Sequence, residues 1–124
     1  MRLLDTNVFV DHLRGYPPAV AFFERLRDAQ DVAFSSLSEA ELLAGKANAD
    51  PRVRAALLRF LQRWTKVDVS NPIAVLAGDM VRDHGLDVPD AIIAATAVQH
   101  KAELVTKNTK DFRRIKGLRL RDPY

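Results

Sequence analysis

Four carboxylates stand at turns and helix starts in this chain: Asp5 in Leu4-Asp5-Thr6-Asn7, Glu41 in Ser38-Glu39-Ala40-Glu41, Asp90 in Asp87-Val88-Pro89-Asp90, and Asp111 in Asn108-Thr109-Lys110-Asp111. Acids brought together without other charges repel one another and are pushed toward protonation. A hard cation removes that conflict, and ligation by oxygen alone suits Mg²⁺ or Mn²⁺. The other common chemistries lack their residues. There is no cysteine, and His12, His84 and His100 are scattered, so neither a thiolate nor a paired-histidine zinc site can be built. There is no Gly-x-Ser-x-Gly, and the glycines at 15, 45, 78, 85 and 117 are too dispersed for a phosphate-binding loop. Acyl transfer and nucleoside-triphosphate chemistry are thereby disfavoured.

Each acid also has a plain structural use. Asp5 can cap the helix that follows it, as can Thr6 or Asn7. Ser38 with Glu41 fits a capping box, and so does Ser36 with Glu39; only in the second frame is Glu41 free for chemistry. Asp90 lies in the first turn of an apolar helix, where an anion gains ~0.3–1 kcal/mol from the helix dipole. Asp111 sits in a polar loop that can be read as a surface turn. Position alone leaves Asp5 balanced between capping and chemistry.

The elements that must position these residues follow from periodicity. Short apolar runs bounded by turn residues predict strands at Arg2–Asp5, Asp31–Phe34, Lys66–Val69, Glu103–Thr106 and Leu118–Leu120. Helical spacing predicts helices over Val8–Leu13, Ala19–Ala29 and Leu37–Ala47, with Gly15 and Pro17-Pro18 closing the first of them. A further helix follows the Asp50-Pro51 start, another covers Ile73–His84 before Gly85, and the last opens at Asp87-Val88-Pro89-Asp90. Its continuation, Ala91 to Val98, is apolar nearly all round and should be buried. Strands alternating with helices imply an α/β domain with a mostly parallel sheet, whose ligands bind beyond the carboxyl ends of the strands. Asp5 falls at such an end.

A length of 124 residues implies one domain, 1–124, and the composition, 48% hydrophobic and 28% charged, is that of an ordinary globular protein. The apolar runs are too short to cross a membrane and no signal peptide is evident, so a soluble, cytoplasmic protein without membrane partners is expected. The net charge of +3 is unevenly placed. Residues 1–100 carry eleven Lys/Arg against thirteen Asp/Glu, and residues 101–124 carry eight against three. A basic end of this kind fits a nucleic-acid partner or a solvated tail equally well. Arg52, Arg59 and Arg63 make a second basic stripe, read as a solvated face.

Four blocks then acquire a common meaning. Leu3-Leu-Asp-Thr-Asn-Val8, Ala40-Glu-Leu-Leu-Ala-Gly45, Asp90-Ala-Ile-Ile-Ala-Ala-Thr-Ala97 and Leu104-Val-Thr-Lys-Asn-Thr-Lys-Asp-Phe112 resemble, in order, those of PIN-domain ribonucleases. The VapC-type toxins of type II toxin–antitoxin pairs are the most similar branch. The resemblance implies a three-layer α/β/α sandwich around a five-stranded sheet of order 3-2-1-4-5. It implies a metal-dependent endoribonuclease in which Asp5, Glu41 and Asp90 hold Mg²⁺ or Mn²⁺ and a metal-activated water cleaves the phosphodiester. The fourth catalytic position falls to Asn108 or Asp111, and Thr6 and Thr106 are expected to orient carboxylates. Lys107, Lys110, Arg113, Arg114 and Lys116 lie beside the site and could neutralise RNA phosphates. The resemblance also implies a homodimer, with Ala19–Phe23 as candidate exposed surface, and a VapB-like antitoxin through which DNA is contacted indirectly. Two other readings share these residues: a PIN-like module that binds RNA without cutting it, and a phosphatase or response-regulator-like domain. The latter needs an acid pair beside the first strand or a second Asp two residues after Asp5, where this chain has Asn7.

Overall fold

The computed structural model describes all residues from Met1 to Tyr124. Five short strands, β1 (Arg2–Leu4), β2 (Val32–Ser35), β3 (Thr65–Val67), β4 (Glu103–Val105) and β5 (Arg119–Arg121), form one sheet of order β3-β2-β1-β4-β5. Every pairing is parallel. Leu3 aligns with Ala33 on one side and Leu104 on the other, so β1 is central.

Alternation along the strands splits the core in two. Leu3, Ala33 and Leu104 face α5 (Asn71–His84) and α6 (Val88–Gln99), where they meet Ile73 and Ile93, with Phe112 from the segment after β4 in the same cluster. Leu4, Phe34 and Val105 face α1 (Thr6–Leu13), α2 (Pro17–Arg25), α3 (Ser36–Leu43) and α4 (Pro51–Leu61). This second layer is aromatic: the Phe9 ring lies 5.2 Å from Phe23, 5.8 Å from Phe34 and 6.2 Å from Trp64, and the indole N–H of Trp64 donates to the Leu26 carbonyl. The result is the expected α/β/α sandwich, with the sheet parallel throughout. The expected burial of α6 also holds, because Ala91 and Ile93 through Ala97 are all buried.

Several boundaries differ from expectation for local reasons. α1 begins at Thr6 rather than Val8, because Asp5 is its cap and takes the Thr6 N–H at 2.8 Å. Pro17 and Pro18 do not merely end α1; they occupy the first turn of α2, where a proline loses no helical hydrogen bond. α2 consequently starts earlier and stops at Arg25. Within Ala19–Phe23, Ala19, Phe22 and Phe23 are buried, leaving Val20 and Ala21 as the exposed part.

Neither capping box forms at α3. Ser35 is the cap and accepts from the Leu37 N–H at 3.0 Å. The helix stops at Leu43 and a 3₁₀ turn, Lys46–Ala49, replaces its expected last turn. The buried face is therefore Ser38 and Leu42, with Ala40, Ala44 and Ala47 exposed. The Asp50-Pro51 start of α4 is as expected, and Asp50 takes the Arg52 N–H at 2.9 Å. Gly85 closes α5 at φ +69°, a left-handed conformation that glycine adopts without strain. β3 begins one residue earlier than expected, and β5 one residue later.

Candidate active site

The site is built where β1 and β4 end side by side. Asp5, directly after β1, is 5% exposed and bonds its own N–H to the Val105 carbonyl at 2.9 Å. Each of its carboxylate oxygens has a fixed partner: Oδ1 accepts from the Thr6 N–H at 2.8 Å, and Oδ2 from the Thr106 hydroxyl at 2.8 Å. Thr106, fully buried at the end of β4, uses its hydroxyl completely, since the same oxygen accepts from the Asn108 N–H at 2.9 Å and the Asn7 amide at 3.4 Å. A carboxylate oxygen has room for more than one donor, so both oxygens of Asp5 keep a free lone pair.

Thr6 links β1 to α3. Its hydroxyl donates to Glu41 Oε1 at 2.8 Å and pairs with the buried Ser38 hydroxyl at 2.8 Å. A threonine hydroxyl has one proton, and with that proton on Glu41 the Ser38 hydroxyl is the donor in the second bond. Glu41 is thus held at the exposed rim of the site by a residue adjacent to Asp5. A supporting role for Thr6 beside a carboxylate was implied by the family resemblance. That of Ser38 was not, because the Ser38–Glu41 spacing suggested a cap instead.

Asp90 stands half-buried in the first turn of α6. Its carboxyl is pushed up to about 6, first by burial and then by the charges of Asp5, Asp87, Asp111 and Glu41. One electrostatic neighbourhood therefore contains all four acids expected from the sequence, plus Asp87, whose side chain makes no capping bond. Asp5 is raised as well: burial and, to a lesser degree, the Glu41 charge outweigh the hydrogen bonds from Thr106 and the Thr6 backbone. Asn108 and Asp111 both reach the rim, tied together by an Asn108 Nδ2 to Asp111 Oδ2 bond of 2.6 Å.

The basic residues divide. Lys107, next in sequence to Thr106, turns away to the C-terminal tail: Nζ donates to Asp122 at 3.0 Å and to the Tyr124 carbonyl at 2.6 Å, and lies 4.9 Å from the centre of the Tyr124 ring. The Tyr124 hydroxyl in turn donates to Asp11 of α1 at 2.6 Å. Lys110 lies on the other side, in a cleft of about 220 Å³ that also takes in Asp87, Asp90, Asp111, Arg114 and His84. Sequence reasoning set His84 aside as a helix-end residue.

The donor set fits Mg²⁺ or Mn²⁺. It consists of oxygen alone, none of its crowded acids is in an ion pair, and a buried amide oxygen beside it, Asn7 Oδ1, has no hydrogen-bond partner. No three acidic or histidine side chains converge at ligating distance. An ion held here would bind through one or two carboxylates and keep several waters.

A parallel 3-2-1-4-5 sheet with an acidic cluster at its carboxyl edge defines a PIN-type α/β/α domain; residues 2–118 match the PIN domain family model, and the chain belongs to that family. Within it, the chain is similar to ribonuclease VapC19 of Mycobacterium tuberculosis, with 37% identity over 118 residues, 90% of this chain and 92% of the relative. Among solved structures, it superposes on a toxin–antitoxin complex from Klebsiella pneumoniae with TM-score 0.80 and 33% identity, covering 100% of this chain and 98% of the other. It also superposes on VapBC2 of Rickettsia felis bound to a promoter DNA fragment, with TM-score 0.77 and 30% identity, covering 97% and 96% of the two chains.

Proposed function

We propose that this chain is a metal-dependent endoribonuclease, the toxin of a toxin–antitoxin pair. The observation that carries the reading is the Asp90 carboxyl, raised to about 6 in a field of four other acids at the carboxyl edge of the sheet. Such a cluster is costly unless a cation occupies it. The likeness to ribonuclease VapC19 supplies the substrate class, and the likeness to two toxin–antitoxin complexes supplies the setting.

Asp5 and Asp90 would hold Mg²⁺ or Mn²⁺, with Glu41 reaching the ion through a water. When bound, such an ion activates water for attack and neutralises charge on the scissile phosphate. The protein's part is positioning. Thr106 and the Thr6 N–H fix the two oxygens of Asp5, so its free lone pairs have defined directions. Thr6 fixes Glu41, whose carboxylate is placed to orient a water and to accept its proton. Asn108 holds Asp111 at the rim without cancelling its charge. An antitoxin of VapB type, carrying the DNA contact, is the proposed partner. A homodimer in the cytoplasm is the proposed assembly and setting.

The test is cleavage of a labelled RNA with Mn²⁺, with Mg²⁺ and with a chelator. Asp5→Asn should cleave nothing while melting as a folded protein. Fragments of equal yield from wild type and Asp5→Asn would refute the carboxylate mechanism. A mobility shift without fragments from the wild type would identify a non-cleaving RNA binder instead.

A further inference from the structure

The cleft beside Asp90 is lined by charges of both signs: the acids Asp87, Asp90 and Asp111, and the cations Lys110 and Arg114 with the half-buried His84. Cations so close to three carboxylates would ordinarily pair with them. Here neither Lys110 nor Arg114 makes an ion pair or a side-chain hydrogen bond, although seven ion pairs form elsewhere on the molecule. Asp111 is held by the neutral Asn108 amide, which leaves both cations without an internal anion. Lys107, nearer in sequence to Asp5, is committed to Asp122 and Tyr124. The free positive charge beside the site is thus on the α5–α7 side, where α7 is Thr109–Phe112, and not on the α1 side.

We infer that Lys110 and Arg114, with His84 as the polar end of the cleft, form a subsite for the RNA phosphate adjacent to the one attacked. This rests on the nuclease reading and gives it a direction: the strand leaves the acidic cluster past Asp111 toward the C-terminus of α5. Two cations four residues apart on one short segment match a single phosphate held from one side. The arginine can present two parallel N–H groups, and the lysine a point charge. Lys110 and Arg114 offer positive charge and N–H donors to phosphate oxygens, so they read the backbone and contribute affinity without sequence preference.

The experiment measures binding of a fluorescent single-stranded RNA of mixed sequence, about 12 nucleotides long, to the full chain carrying Asp5→Asn. Adding Lys110→Ala and Arg114→Ala is expected to lower the slope of log affinity against log salt by about 0.7, the value for loss of one single-strand phosphate contact. The pair Arg52→Ala and Arg59→Ala removes the same charge from the exposed face of α4, away from the cleft, and should leave the slope within about 0.3 of the parent. Exchange to Lys110→Arg and Arg114→Lys should restore it. In the active protein, Lys110→Ala with Arg114→Ala should raise KM and leave the melting temperature unchanged. An unchanged slope in the cleft variant, or an equal loss in the control pair, overturns the subsite. A wild-type chain that cleaves RNA while the cleft variant behaves identically sinks this inference alone; a wild type that neither binds nor cleaves RNA sinks the nuclease reading with it.

Discussion

Replacing Asp90 by Asn should make the protein more stable and less active at once. The carboxyl is raised from 3.8 to about 6, and two pH units correspond to ~3 kcal/mol. Asp90 is only half-buried, so solvent screening reduces this to about 1 kcal/mol. The sign follows from proton binding. Between pH 4 and 6 the folded state holds a proton on Asp90 that the unfolded chain has already released, so stability falls as pH rises through this window. The raised carboxyl of Asp5 acts in the same direction. At pH 7 in a chelator, Asp90→Asn should therefore melt ~3–5 °C above wild type, given the size of the domain. At pH 4 the two should coincide, because Asp90 is then neutral in the folded protein. Mg²⁺ or Mn²⁺ at pH 7 should raise the melting temperature of the wild type but not of the variant, and the variant should not cleave RNA. Differential scanning fluorimetry across pH, with and without metal, reads all of this. A variant less stable than wild type at pH 7, or equally active, would refute the account of Asp90 as a strained ligand.

Two other outcomes follow from the hydrogen bonds and the core. Thr106→Val removes the donor to Asp5 and strands the Asn108 N–H. It should slow cleavage by ~10–100-fold and cost about 1–2 kcal/mol in urea denaturation; Thr106→Ser, which keeps the hydroxyl, should recover most of both. Phe9→Ala opens a cavity among Phe23, Phe34, Phe60 and Trp64. It should cost ~3–5 kcal/mol, and a loss below about 1 kcal/mol would mean that the aromatic layer is not the packing unit described above.

Local patterns revealed the elements but not their order in the sheet. Periodicity and turn residues located every strand to within two residues: β1, β2 and β4 as short apolar stretches, and the edge strands β3 and β5 by alternation of polar and apolar residues. That β1 lies between β2 and β4 came from the family resemblance, since a three-residue strand carries no register information of its own. The start of α3 was ambiguous for a physical reason: Ser35, Ser36 and Ser38 can all cap, and which one does depends on where the strand ends. Ser38 is spent on Thr6, 32 residues away, a contact no local pattern encodes. Lys107 shows the same limit. Adjacency in sequence suggested that it meets the substrate, whereas the returning tail occupies its ammonium. The acids were legible because turns and helix starts are where a parallel sheet exposes its carboxyl edge.

The bond between Thr106 and Asp5 spans 101 residues of chain, and this sets an order of events during synthesis. A growing chain that has reached only α5 has β1 paired with β2 on one side and nothing on the other. Asp5 then has neither the hydroxyl that fixes one oxygen nor the Val105 carbonyl that fixes its backbone. Asp90 and Asp111 enter with the same late segment. Asp5 and Glu41, already linked through Thr6, are therefore joined by Asp90 and Asp111 only once β4 has inserted beside β1. A nuclease built this way stays inert for most of the time it spends emerging from the machinery that makes it.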